Sequence, residues 1–235
     1  MIAIGRVVAA GELTWWLNAT LCGCVSPDMA TEHVRGRVTF PGEHGTTWPL
    51  ALGALRRRQV RCLHIRYVEP GDPLGLPGPA EVSKAAVAAG LALVTDSGAV
   101  TVVPVTAMPD IVAAWVAVES TPTPDSILPL GTLREARGLM REAMAEVTAT
   151  LTGLPTDERA LAAIAAFRDF TGPVPPPRFP PEAAQVADAA LRVWWLTSIA
   201  GDLAQRRSIP LPAAVTHLRP LARRAASVAF SERPA

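Results

Sequence analysis

Three side chains with usable chemistry lie close together in the chain: His64, Arg66 and Asp72. An imidazole titrates near neutrality and a carboxylate can exchange a proton with it, so His64 and Asp72 form a candidate acid–base pair flanking one strand end. Arg66 adds a planar fork of donors suited to a carboxylate or a phosphate. Asp72 sits in the most distinctive segment of the sequence, Glu69-Pro70-Gly71-Asp72-Pro73-Leu74-Gly75-Leu76-Pro77-Gly78-Pro79. Its glycines permit positive φ and a close approach of backbone to a ligand. The ligand-binding candidates are therefore Arg66, Gly71, Asp72, Gly75 and Gly78. The segment is neither a P-loop nor a GxGxxG fingerprint: its prolines remove amide donors that would cradle a phosphate, and Glu81 would repel an anion. A rigid connector is the competing role, since proline lowers the entropy of the unfolded chain.

Other constellations carry less. Cys22, Cys24, Cys62 and His64 make a legitimate zinc ligand set, but both Cys22-x-Cys24 and Cys62-x-His64 have a single intervening residue where structural sites favour two to four. Buried thiols are the better reading. Arg56, Arg57 and Arg58, with Arg61 and Arg66, form a basic cluster that reads as a solvated helix end. Arg219, Arg223 and Arg224 share a helix face and receive the same reading. No serine or histidine stands in a nucleophile elbow or an HExxH motif. No metal and no cofactor is expected.

The elements that must position these residues follow from hydrophobic period and punctuation. Ile2–Ala10, apolar and β-rich, reads as a strand; from Glu12 a helical stripe of Leu13, Trp16, Leu17, Thr20 and Leu21 runs to Gly23. Ser26-Pro27-Asp28 opens a short helix that stops at Gly36. Arg37–Phe40 reads as a strand and Leu50–Arg58 as a helix. Val60–Val68 alternates as a strand, and the Pro/Gly loop leads into a helix Ala80–Ala89 ended by Gly90. A hairpin about Asp96-Ser97-Gly98 joins Leu91–Thr95 to Ala99–Val105, and Val112–Val118 is a further strand. Beyond Pro124 only helices are expected: Leu133–Leu151 behind the capping box Thr132/Glu135, then one with Leu161, Ile164 and Phe167 inward. The proline run Pro173–Pro181 is expected to be extended. A long helix Glu182–Arg206 follows, then a last one to Ser231 containing Pro220. The fold class is α+β: a mixed α/β domain over 1–120, then a helical, four-helix-bundle-like domain over 121–235.

Composition bounds the partners. With 49% apolar and 18% charged residues, the chain can bury a sizeable core. The net charge of +1 leaves no basic field, so nucleic acid is not an expected partner. The longest run free of charged residues, Leu13–Pro27, is too short to span a membrane. Three cysteines point to reduced thiols and the cytoplasm. The near-absence of lysine and asparagine suits a GC-rich bacterial genome. On the long helix Trp194 falls on the inward stripe, whereas Trp195 is rotated about 100° away and needs other cover, from the sheet or from a second copy of the chain. The leading functional reading is a non-enzymatic cytoplasmic protein that binds a small molecule or a protein partner through the loop 70–79 and the domain junction. Two readings stay open beside it: an enzyme acting on a small anionic substrate at the same loop, and an assembly module that forms a homo-oligomer through its helices, with Trp195 at the interface.

Overall fold

A computed structural model describes residues 4–42, 44–108, 111–124, 130–151, 157–211 and 213–234. Within it the cap and turn signals become element boundaries. Ser26 Oγ accepts from the Met29 amide at 3.2 Å and starts α2 (Pro27–His33). Gly90, at φ +80°, ends α4 (Ala80–Ala89), where only glycine takes the left-handed turn without strain. Thr132 and Glu135 bond each other's backbone amides at 3.2 and 2.8 Å and open α5 (Leu133–Leu151). Asp157 caps α6 (Glu158–Arg168). Helices α3 (Trp48–Arg57), α7 (Pro181–Arg207) and α8 (Ala213–Phe230) are also present, and α8 passes through Pro220.

The sheet has six strands in the order β2-β1-β6-β5-β4-β3: β1 (Arg37–Thr39), β2 (Thr46–Thr47), β3 (Leu63–Tyr67), β4 (Leu91–Thr95), β5 (Val100–Met108) and β6 (Ile111–Glu119). Every pairing is antiparallel except β1 with β6. The sheet is therefore mixed, and a helical region follows it, which makes the fold α+β. Alternation divides each strand between two faces. Leu63, Ile65, Tyr67, Leu91, Leu93, Val102 and Trp115 enter one large apolar cluster. Ala92 and Val103 pack on the other face against Val82 and Ala86 of α4. The large cluster also holds Trp15 and Leu17 of α1 (Ile4–Leu21), Val186 and Trp194 of α7, and Phe230 of α8, so apolar packing is continuous from the sheet into the helices. Helices α5, α7 and α8 pack on one another, and α6 lies against α7.

Three expectations differ. Of the strand expected at Ile2–Ala10, the described residues are helix: α1 covers Ile4–Leu21. Helix α1 is buried along most of its length, so apolar residues sit all round it and the one-sided period vanishes. A short apolar run then reads equally as strand or helix. Leu161 is not inward but 56% exposed, because α6 packs on α7 with Ile164 and Phe167 partly covered instead. The proline run is interrupted by a turn at Arg178 (φ +66°), which lets Phe179 drop into the core against Trp15.

Candidate functional site

Strand β3 is the last strand of the sheet, with β4 on one side only. An edge strand leaves a row of amides and carbonyls unpaired, and burying them unsatisfied would be costly. Here side chains take the place of a seventh strand. Asn18, in α1, receives the Leu63 amide on Oδ1 at 2.8 Å and donates from Nδ2 to the Leu63 carbonyl at 3.0 Å. Just past α8, Ser231 Oγ accepts from the Ile65 amide at 3.0 Å. In α8, Ser227 Oγ accepts from the Tyr67 amide at 3.1 Å, and Arg223 Nη1 donates to the Tyr67 carbonyl at 3.1 Å. Positions 223, 227 and 231 are four apart, so they form one stripe with a rise of about 6 Å per step, close to the two-residue repeat of a strand.

The same stripe continues onto the Pro/Gly loop. Glu69 and Asp72 pair backbone to backbone at 3.2 and 3.0 Å, making a tight turn. Arg219 grips Glu69 Oε1 through Nε and Nη2 at 3.0 and 2.6 Å. Arg223, only 1% exposed, bonds Asp72 Oδ2 and stands 3.8 Å from Glu69 Oε2. Gly71, Gly75 and Gly78 all have positive φ, and Gly78 passes so near β6 that an added Cβ would lie 3.1 Å from Ser120 Oγ. Of the loop residues expected to meet a ligand, Asp72 is thus engaged by the last helix.

A cavity of about 180 Å³ opens where β3 meets the end of α8, walled by His64, Arg66, Ser227, Ser231 and Arg233, with Gly131 and Glu232 beside them. Arg66 is 2% exposed; burial first, and then the charge of Arg224, pulls its pKa down to about 10, so it stays cationic at neutral pH. His64 is pulled down to about 4, mainly by burial and then by Arg66 and Arg233, with Asp96 opposing, so its imidazole is neutral. Ser227 and Ser231 each accept one strand amide, which leaves the hydroxyl proton free to donate into the cavity. Two guanidinium groups, two hydroxyls and a neutral imidazole around one space can hold a small anion.

His64 and Arg66 share this cavity. Asp72 does not: it lies beyond the other end of β3, beside Arg223, which stands two helical turns from Ser231, roughly 12 Å along the axis. The structure does not bring His64 and Asp72 together, although the sequence spacing placed them at one strand end. Trp195 is half-buried, with Phe167 and Phe170 edge-on to it at 5.7 and 5.8 Å, and it borders an apolar groove with Ile4, Val8 and Phe170. Cys22 and Cys24 follow the end of α1, and Cys62 is buried with its thiol pushed up to about 12 by desolvation; all three are free. Among the described residues no group of three or more His, Cys, Asp or Glu could hold a metal, and no helix is long and apolar enough to cross a membrane.

Sequence reasoning missed Asn18, Ser227 and Ser231, and discounted Arg219, Arg223 and Arg224. One signal was available: Arg219, Arg223, Ser227 and Ser231 recur every four residues, a polar stripe too regular for a solvated face beside so much alanine.

Neither a curated protein nor a solved structure matches the chain. Residues 10–127, about half of the chain, match the family model described as the N-terminal domain of Rv1486c-like proteins. That stretch carries α1 from Ala10 onward, the whole sheet and the Pro/Gly loop, and with them Asn18, His64, Arg66 and Asp72. The chain belongs to the Rv1486c-like protein family.

Proposed function

We propose that the protein binds a small anion, without transforming it, in the cavity between β3 and the end of α8, where the sheet meets the helices. The carrying observation is Arg66: a guanidinium 98% removed from solvent that walls this cavity together with Arg233 and the Ser227 and Ser231 hydroxyls. The low pKa of His64 supports binding over proton transfer, since an imidazole that protonates only near pH 4 is a weak base. In this reading the loop 70–79 acts at one remove: Glu69 and Asp72 hold Arg219 and Arg223, and so fix α8 at the distance from β3 that leaves the cavity open. Three free cysteines suit the reducing cytoplasm of a bacterium.

Calorimetric titration at low ionic strength with phosphate, sulfate and acetate tests the proposal. Saturable one-site binding of at least one of them is expected, weakened at least about tenfold in Arg66→Met, a loss of about 1.4 kcal/mol. A folded wild-type protein that takes up none of these anions at millimolar concentration would remove the reading.

A further inference from the structure

The anion cavity has a neighbour. Between α5 and α8 runs a groove of about 600 Å³ with Leu130, Ala136, Leu139, Leu221, Ala225 and Val228 as its aliphatic walls. Leu130, Gly131 and Val228 wall both spaces, so the groove and the polar cavity adjoin. Arg224 stands at the boundary: it lines the groove, donates from Nε to the Leu130 carbonyl at 2.7 Å, and lies near enough to Arg66 for their charges to interact. Among the described residues that line the two spaces, the acids are Glu135 and Glu142 on the groove and Glu232 in the cavity. Glu135 is committed to the Thr132 amide, and Glu232 Oε1 accepts the Arg233 amide at 3.2 Å. Two arginines against one glutamate wall the cavity, and one arginine against two glutamates lines the groove, so positive charge gathers at the cavity end.

Gly138 adds an independent observation. It lies inside α5, where glycine is less favourable than alanine, and it lines the groove. A Cβ there would meet nothing within 4 Å, so no packing among the described residues requires the glycine. Gly11 in α1 is the contrast, since a Cβ there would lie 2.5 Å from the Phe230 ring. Leu139, beside Gly138, is 41% exposed on the same groove.

We infer that the ligand is an amphiphile: one anionic head held by Arg66, Arg233 and the two serine hydroxyls, and a hydrocarbon chain laid in the groove over Gly138. This rests on the anion reading above and adds the chain to it. An apolar groove opening onto a basic cavity fits such a molecule better than a free inorganic ion, which would leave the groove to water, or a peptide, whose backbone amides would find few partners on aliphatic walls.

Titration of the full chain with laurate and butyrate below micelle concentration, and with dodecyltrimethylammonium as the charge-reversed probe, tests this. Laurate should bind at least about tenfold tighter than butyrate, an amount that about two buried methylenes supply, and the ammonium should not compete. Gly138→Leu, which fills the groove, should bring laurate down to the affinity of butyrate and leave butyrate unchanged. Leu139→Gln, at an exposed position, should weaken laurate in the same direction should the first variant not fold. Equal affinities for laurate and butyrate would overturn the chain and leave the anion reading standing. Binding of neither would overturn both. Equal binding of the ammonium would show that the cavity does not hold the head.

Discussion

Asn18, the only asparagine in the chain, uses both ends of its amide on Leu63, a residue 45 positions away. It is fully buried, so removing it leaves an amide and a carbonyl of the edge strand without a partner. Asn18→Ala should lower stability by about 2–4 kcal/mol in urea unfolding, since each orphaned buried group costs about 1–3 kcal/mol; a loss below about 1 kcal/mol would mean that water replaces it. His64 gives a pH-dependent counterpart. Its folded-state pKa of about 4 lies below the ordinary histidine value of 6.5, so the unfolded chain takes up a proton that the folded chain refuses. Stability should therefore fall as pH drops from about 6.5 towards 4, by up to about 3 kcal/mol, and be level above that window. His64→Gln should flatten this part of the profile, and a variant curve parallel to wild type would place the titration elsewhere.

At the scale of elements, two helix-interior glycines predict opposite signs. Alanine normally improves a helix by about 0.5–1 kcal/mol over glycine, and Gly138→Ala should gain that much because its Cβ meets open space. Gly11→Ala should instead lose about 1–3 kcal/mol. The Phe230 ring occupies the space, and it is wedged against Trp15 at 4.6 Å and Tyr67 at 6.2 Å. Thermal melts of the two variants against wild type decide it; equal shifts would mean that Phe230 can move aside. The edge of β3 shows the same dependence on a neighbour. The strand is short and flanked on one side only, and it is held because α8 presents a polar residue every fourth position.

At the scale of the molecule, the Pro/Gly loop and the last helix join the sheet to the helical region. Arg223→Leu removes the bonds to Asp72 and to the Tyr67 carbonyl together, and should cost about 2–4 kcal/mol. Adding Asp72→Asn should recover part of the loss, and strictly additive costs would show that the two residues are not coupled. Trp195 tests how the outer helix docks. Its ring lies edge-on to Phe167 and Phe170, so Trp195→Ala should lower the melting temperature by several degrees with the solution mass unchanged. A changed mass with an unchanged melt would instead put Trp195 between copies of the chain.

What the sequence determined by itself is local. The Ser26-Pro27 start of α2, the Thr132/Glu135 box, the Gly90 stop and the Asp96–Gly98 turn were all legible, because each is completed by atoms within about five residues. The class of fold followed from their order. The tertiary structure decided which polar residues matter. Five arginines near positions 56–66 drew attention, yet it is Arg219 and Arg223, 150 and 151 residues from their partners, that grip the loop. It also decided that the first apolar run is helix, since Trp15 bonds the Ala229 carbonyl 214 residues on and α1 is enclosed by the end of the chain. His64 and Asp72, eight residues apart, were separated because His64 lies near the start of the extended strand β3 and Asp72 in the turn beyond its far end. Sequence spacing becomes distance only once the intervening backbone conformation is known.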